Sequence, residues 1–169
     1  MISVGTPSDW RHDLCTGERI VGRYVNYAEG FSVGIPRNLI GRRVPVSGPE
    51  RGVSIALSSD CAGVIRFDGD ANSLEWASPA IAAIETPGFS EDRGGFVVRK
   101  YKTRMGRLLA SGVTIHYRDS QNVEDVVVAF RPDGGPIYTA HLWTDTARHR
   151  RDRKRFLRVL LRFRLAPWR

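Results

Sequence analysis

The sequence lacks a long apolar run, and it contains few cysteines and few lysines. No stretch of about 18 apolar residues occurs, so no transmembrane helix is expected. The segment from Met1 to Asp13 has no apolar core of about 7 residues, which excludes a secretory signal peptide in that segment. As it stands, the sequence predicts a cytoplasmic protein. A periplasmic or envelope location is the alternative if the N-terminus is truncated.

Cysteine occurs only as Cys15 and Cys61. Two thiols do not make the dense framework of a small disulfide-stabilised domain, and the sequence leaves open whether they pair. No Cys-x-x-Cys or Cys/His spacing indicates a zinc site. A chain of 169 residues buries about 70% of the surface that it exposes when unfolded, so folding needs neither a disulfide nor a metal. We expect no cofactor.

The net charge of +8 is concentrated near the C-terminus. Residues 148–169 contain ten Arg or Lys residues and one acidic residue, Asp152, for a net charge of +9. The preceding 147 residues contain 16 basic and 17 acidic residues, for a net charge of −1. Almost all the basic residues are arginine, which a GC-rich genome also produces, so charge alone does not identify a partner.

The chain divides into a polar, loosely ordered N-terminal arm, 1–22, and one α+β domain, 23–169. Runs of alternating polarity predict strands, because successive side chains of a strand point to opposite faces. The predicted strands are 30–36, 53–57, 64–67, 96–104, 108–118, 123–130 and 137–143. The stretch 37–51 is predicted to be a loop because glycine and proline interrupt it.

Two helices are expected. Ser78 is a good N-cap and Pro79 suits the first helical position, so the first helix begins there. A second helix is predicted over 145–162, and spacings of three and four residues give it one apolar face: Phe156, Val159, Leu160 and Phe163. The predicted architecture is an antiparallel sheet of about six or seven strands in the order β-β-β-α-β-β-β-β-α, with helices packed on it as in an α/β/α sandwich.

Several segments together resemble a known superfamily. Tyr24-Val-Asn26 leads into Gly30-Phe-Ser-Val-Gly-Ile-Pro36, Tyr138 lies in the last strand of the meander, and Asp152-x-x-x-Phe156-x-x-x-Leu160 runs into Phe163-Arg-Leu165. Over residues 24–165 this pattern resembles the PsbP-like and DcrB-like α/β/α sandwich superfamily. The resemblance implies a protein that is not an enzyme, since members include photosystem II accessory subunits, envelope proteins and chaperones of secreted toxins. It implies no catalytic residue.

Two sequence motifs lack the context that their chemistry needs. Gly30-x-Ser32-x-Gly34 matches a hydrolase nucleophile elbow, but that motif requires a helix immediately after it, and here the motif lies inside a predicted strand. Asp68, Asp70 and Asn72 resemble a calcium loop. An EF-hand requires glycine at loop position 6 and glutamate at position 12, where this chain has Ser73 and Pro79, so that interpretation is excluded.

A histidine pair offers a further candidate site. His116 and His141 are predicted in adjacent or near-adjacent strands, close in sequence to Asp119, Glu124 and Asp125. Histidines and carboxylates are the usual metal ligands and proton carriers, so a metal or acid–base site is one interpretation. We favour the other interpretation, polar-face strand residues, because no ligand spacing is diagnostic.

The arginine-rich terminal helix is the leading binding candidate. Its exposed basic face is predicted to contain Arg148, Arg151, Arg155, Arg158 and Arg162. An acidic protein partner is the leading hypothesis, and nucleic acid or an anionic surface is the alternative. No aromatic residue interleaves with these arginines, as base stacking would require. The sequence therefore predicts a non-catalytic protein-binding or adaptor domain of a bacterial type, with an accessory, chaperone or immunity-like role.

Substitutions in the terminal helix test which side is buried. Phe156→Ala should lower the free energy of unfolding by about 3–5 kcal/mol, because it removes a packed ring. Replacing Arg151, Arg155 and Arg158 by Gln should cost about 0–1 kcal/mol each, as is usual for exposed charges. Urea unfolding followed by circular dichroism measures both. If Phe156→Ala left the free energy of unfolding unchanged while the arginine variants were unfolded, the helix would pack on the sheet with its other side.

Overall fold

The structure is a computed structural model that describes residues 15–44, 52–71, 74–85, 94–118 and 120–167. The larger sheet contains β1 (Arg19–Ile20), β4 (Ile40–Arg43), β5 (Gly52–Ala56), β6 (Val64–Asp70), β7 (Gly95–Met105), β8 (Leu108–Tyr117), β9 (Asn122–Phe130) and β10 (Ile137–Asp145). The smaller sheet contains β2 (Arg23–Asn26), β3 (Phe31–Gly34) and β11 (Phe163–Leu165). Two helices lie wholly within the described residues: α1 (Pro79–Glu85) and α2 (His149–Leu160).

Both sheets are antiparallel. The order in the larger sheet is β1-β4-β5-β6-β10-β9-β8-β7, and the order in the smaller sheet is β11-β3-β2. Strands β7 to β10 form the predicted meander, in which each strand pairs with the next. The predicted α+β class is confirmed, although the described residues of the larger sheet alone form eight strands, which is more than the six or seven expected.

The helices cover opposite faces of the larger sheet. Helix α1 packs on β8 and β9 through Ala82 and Ala83, and we call this side the α1 face. The Ser78 Oγ accepts a hydrogen bond from the N–H of Ile81 at 3.3 Å, so Ser78 and Pro79 begin the helix as predicted. Helix α2 and the smaller sheet share a core on the other side, the α2 face. Neither helix is long and apolar enough to cross a membrane.

The larger core lies on the α2 face. Phe156 and Leu160 of α2 are fully buried, and Phe163 of β11 is 1% exposed, which confirms the predicted apolar side. The Phe163 ring stacks on Phe31 with centroids 5.6 Å apart and lies 4.9 Å from the ring of Tyr138. Because these rings come from both sheets, Phe163 joins the two layers.

Helix α2 is shorter than the predicted 145–162. It begins at His149 because β10 continues to Asp145. It ends at Leu160, whose carbonyl accepts a hydrogen bond from the N–H of Gly106 in the β7–β8 turn at 2.8 Å. The chain then turns and pairs with β3. Helical spacing alone does not reveal this end, because Phe163 continues the apolar pattern of the helix.

The predicted loop 37–51 contains a strand. Ile40–Arg43 form β4, which pairs with β1 and β5. A Cβ atom at Gly41 would lie 2.9 Å from the Ile35 side chain, so this glycine allows close packing within a strand. In the sequence alone, this glycine is typical of a loop. Residues 45–51 lie outside the described residues.

A disulfide bond joins Cys15 and Cys61, across 46 residues. The sequence alone leaves open whether these two cysteines pair, and the structure shows that they do. The bond connects the predicted N-terminal arm to the β5–β6 connection, and in the same arm Arg19–Ile20 form β1 and pair with β4. Residues 1–14 of the arm lie outside the described residues.

Removal of the disulfide should destabilise the domain. Cys15→Ser/Cys61→Ser should lower the free energy of unfolding by about 2–4 kcal/mol, because a long cross-link restricts the unfolded chain. Urea unfolding with and without dithiothreitol measures the effect. The reductant should lower the midpoint of the wild-type protein and leave the double variant unchanged. Identical midpoints for oxidised and reduced wild-type protein would contradict this expectation.

Candidate functional site

A buried carboxylate fixes the first turn of α2 on the sheet. Asp152 is 1% exposed, and its Oδ2 accepts a hydrogen bond from Thr144 Oγ1 at 2.6 Å. A Cβ atom at Gly63 would lie 2.7 Å from the same oxygen, so the backbone approaches the carboxylate because residue 63 has no side chain. Arg151 Nε donates to Asp152 Oδ1 at 3.2 Å. These contacts determine which side of α2 faces solvent.

The solvent-facing side of α2 is basic. We define the outer basic face as the exposed cationic residues of this side of α2 and of the turn just after it: Arg150, Arg151, Lys154, Arg158 and Arg162. Arg151 forms an ion pair with Asp152. Within the described part of the chain, the ion pairs of this region involve none of the other four. The described residues therefore leave the positive charge of this face largely unneutralised.

Two of the five arginines predicted for this face are held by the domain itself. Arg148 is half-buried, with its Nη1 3.6 Å from Asp60 Oδ2. Arg155 is also half-buried, and its Nη1 donates to the carbonyl of Leu57 at 3.1 Å. The small cost expected of Arg155→Gln as an exposed charge therefore does not apply to this residue. Both lie on the side of α2 that is next to the β5–β6 connection. The other three predicted residues are exposed: Arg151, Arg158 and Arg162.

The opposite side of α2 contacts a fully buried carboxylate, Asp125 of β9. Its Oδ1 accepts hydrogen bonds from Thr114 Oγ1 at 2.6 Å and from Tyr101 Oη at 3.2 Å. His149 Nε2 lies 2.6 Å from its Oδ2, and Arg153 Nε lies 3.6 Å from its Oδ1. We call these five residues the Asp125 cluster. It ties the first turns of α2 to three strands of the meander, as a buried charge needs several partners.

Tyr101 of the Asp125 cluster is held in its protonated form. Burial raises its pKa well above the ordinary value of 10.0, and the negative charge of Asp125 raises this pKa further. The Arg153 guanidinium lies 4.5 Å from the centre of the Tyr101 ring, a cation–π distance. The Tyr101 hydroxyl therefore remains a hydrogen-bond donor to Asp125 at neutral pH.

The structure does not bring His116 and His141 together, so the pair does not form the metal or acid–base site that is the less favoured interpretation of the sequence. The register places His116 on the α2 face and His141 on the α1 face, with β9 between their strands. Because successive residues alternate between faces, Glu124 and Asp125 are also separated. His141 Nδ1 lies 2.8 Å from Glu124 Oε1, and Asp119 lies outside the described residues. No group of three or more metal-ligating side chains occurs among the residues that the structure describes.

The two motifs set aside on sequence grounds have structural contacts. Ser32 lies within β3, and its Oγ accepts a hydrogen bond from Arg23 Nη1 at 3.0 Å. Strand β3 is paired on both sides, with β2 and with β11, so Ser32 is not on a strand-to-helix turn. Asp68 lies within β6 and forms an ion pair with Arg66 at 2.7 Å. Asn72 lies outside the described residues.

Strand β7 forms a second basic surface that the sequence analysis does not single out. It is an edge strand of the larger sheet. Four of its exposed side chains are cationic: Arg99, Lys100, Lys102 and Arg104. The alternation of Lys100, Lys102 and Arg104 within a strand is the signal in the sequence.

Comparison with solved structures identifies the fold. The solution structure of cyanobacterial PsbP (CyanoP) from Synechocystis sp. PCC 6803 matches 89% of this chain and 95% of that chain, with a TM-score of 0.61 and 14% identity. The crystal structure of the Saccharomyces cerevisiae Ran-binding protein Mog1p matches 89% of this chain and 96% of that chain, with a TM-score of 0.56 and 9% identity. This chain has a PsbP-like fold.

The resemblance read from the sequence is thus confirmed at the level of the fold. No family model matches the sequence. No curated protein matches it either. At 14% and 9% identity the PsbP-like fold carries no functional residue from CyanoP or Mog1p to this chain. The functional argument depends on the surfaces of the chain itself.

The Asp125 cluster predicts a pH dependence of stability. The folded state keeps the Tyr101 proton above the pH at which the unfolded chain loses it, so the unfolding free energy should fall as pH rises above about 10. Tyr101→Phe should show a shallower fall between about pH 10 and 12. Urea unfolding across this range measures both slopes. Equal slopes would show that Tyr101 is not protected from ionisation.

Proposed function

We propose that this chain is a non-catalytic protein-binding domain that engages an acidic surface of a partner protein through the outer basic face of α2. The observation that carries the proposal is the set of exposed cations in and just after this helix, of which only Arg151 has an acidic partner among the described residues. A surface that carries charge of one sign attracts and orients a partner whose surface carries charge of the opposite sign.

The outer basic face is supported rigidly. Its helix is anchored near the start by the Thr144–Asp152 hydrogen bond and at the end by the Gly106–Leu160 hydrogen bond. Between these points, Phe156 packs into the larger core. Residues that are held in place before binding lose less conformational entropy when the partner arrives. Folding therefore uses the inner side of α2 and leaves the outer side available.

The fold is compatible with this role. Mog1p, which shares the fold, is described as a Ran-binding protein. That likeness supports protein binding as a use of the fold, and it does not identify the partner of this chain. An accessory, chaperone or immunity-like role remains within the proposal.

Nucleic acid fits the outer basic face less well than protein does. Among the described residues of α2, no aromatic side chain is exposed beside the cations, because Phe156 is buried in the core. Single-stranded nucleic acid is usually bound by stacking of bases on exposed aromatic rings. Binding to duplex phosphates requires only cations, but it weakens steeply as salt is raised. A direct titration with duplex DNA therefore separates the two classes of partner.

Charge reversal on α2 tests the proposal. Proteins that co-purify with the tagged chain from its source cells are identified and re-tested as purified components. Lys154→Glu/Arg158→Glu should weaken the two-component complex by about tenfold or more, because favourable contacts become repulsive. Isothermal titration calorimetry measures the dissociation constants. The matched control is Arg19→Glu/Arg37→Glu, which reverses two exposed cations outside α2 and should have little effect.

A duplex DNA titration completes this test. A duplex of about 24 base pairs should bind weakly at about 150 mM salt. If the duplex bound tightly and Lys154→Glu/Arg158→Glu abolished this binding, the partner of the outer basic face would be nucleic acid and not a protein. Equal affinity of a purified protein partner for wild-type and α2-reversed chains would remove α2 from the binding surface.

A further inference from the structure

Strand β7 forms one edge of the larger sheet, and the described residues leave this edge open. Among the described residues it pairs with β8 alone, and its 11 residues make it the longest strand. Alternate residues of such a strand direct their N–H and C=O groups outward from the edge, in the plane of the sheet. An edge of this kind is a template for a further strand, and proteins usually keep edge strands short or protect them.

The exposed side chains of β7 give this open edge a positive charge. Its register with β8 places Lys100, Lys102 and Arg104 on the α1 face. All three are exposed, and none takes part in an ion pair within the described part of the chain. Lys102 Nζ donates to Ser111 Oγ at 3.0 Å, which holds one of the three ammonium and guanidinium groups above the sheet.

An apolar groove runs beside these cations on the α1 face. It has a volume of about 420 Å³ and lies between α1 and the β7–β8 hairpin. Ala80, Ala83 and Ile84 of α1 form one wall, and Val113 of β8 lies on the other. Lys100 and Lys102 also line it. The groove can accept an apolar side chain from a segment that lies along β7, while the lysines select its charge.

A second copy of this chain is a poor occupant of the edge. Antiparallel pairing of β7 with another β7 would place its four cationic residues, 99, 100, 102 and 104, near those of the other copy. Like charges on opposed strands are destabilising. The register irregularity between Val97 and Arg99 further interrupts a regular ladder. The cations that oppose self-association favour an acidic strand.

We propose that β7 and the adjacent groove bind an extended acidic segment of a partner protein as an added strand. Main-chain hydrogen bonds to the open edge provide part of the affinity, as in other cases of strand addition. Acidic side chains on the α1 face meet Lys100, Lys102 and Arg104, and one apolar side chain enters the groove. This site is distinct from the outer basic face of α2, and it does not depend on the function proposed for that helix.

A defined peptide tests the inference. The probe is the fluorescein-labelled peptide Glu-Thr-Glu-Thr-Leu-Thr-Glu-Thr-Glu, which places its acids and its leucine on one face of a strand. Fluorescence anisotropy should show binding to the wild-type chain. Lys100→Glu/Lys102→Glu should weaken binding by about tenfold or more, and Arg19→Glu/Arg37→Glu should not. Circular dichroism checks folding, and Lys100→Gln/Lys102→Gln is the milder variant if the reversed one unfolds.

A second peptide separates strand addition from simple charge attraction. Replacing two threonines of the first peptide by proline keeps the charge and removes main-chain donors. The proline-containing peptide should therefore bind at least about tenfold more weakly than the first peptide. Amide hydrogen exchange of alternate β7 residues should slow when the first peptide binds. Equal binding of the two peptides, protection of α2 in place of β7, no binding of the first peptide, or self-association through β7 would each overturn the inference. These outcomes do not involve the α2 partner, so the two proposals fail separately.

Discussion

The side chain of Phe163 lies where the two sheets meet, and the position of α2 depends on it. Its ring stacks on Phe31 of the smaller sheet and on Phe67 of the larger sheet, and it also contacts Tyr138. Burial of such a ring stabilises a domain by about 3–5 kcal/mol, and aromatic pairs add to this. To bring the ring there, the chain must leave the helix after Leu160. The end of α2, and hence its solvent-facing side, follows from this contact.

The sequence predicted those features that local pattern determines. The meander strands are predicted by their content of apolar and β-branched residues and by the turn residues between them, and α1 is predicted because Ser78 and Pro79 mark its start. Strand β4 was missed because it is short and contains Gly41, whose role depends on contact with Ile35. The end of α2 was missed for a similar reason. Phe163 fits helical spacing, and only its distant aromatic partners show that it belongs to a strand.

The candidate site was predicted in part. A basic side of α2 follows from helical spacing, but its boundary depends on how the helix is rotated, and contacts far away in sequence fix this rotation. Arg155 reaches the carbonyl of Leu57, while its neighbour Lys154 faces solvent. Strand pairing similarly decides that His116 and His141 lie on opposite faces. Neither the rotation of a helix nor the register of a strand can be read from residue types alone.

The positive charge of this chain serves several purposes. Arg131 donates to the carbonyls of Gly30 and Ala166 and so links the end of β9 to the residues that flank β3 and β11. Arg153 is an ion-pair partner of the buried carboxylate of Asp125. These arginines support the fold, whereas the cations of α2 and β7 face solvent. Net charge therefore says little about binding until the structural arginines have been subtracted.

Gly106 limits how this domain can diverge in evolution. It lies in a hairpin turn, where insertions and substitutions are usually tolerated. Here its φ is +59°, and a Cβ atom would come within 2.2 Å of the Phe163 carbonyl oxygen. Any other residue would strain the backbone and separate the turn from the end of α2. Homologous sequences should therefore keep both this glycine and the length of the turn, even where the surrounding surface has changed.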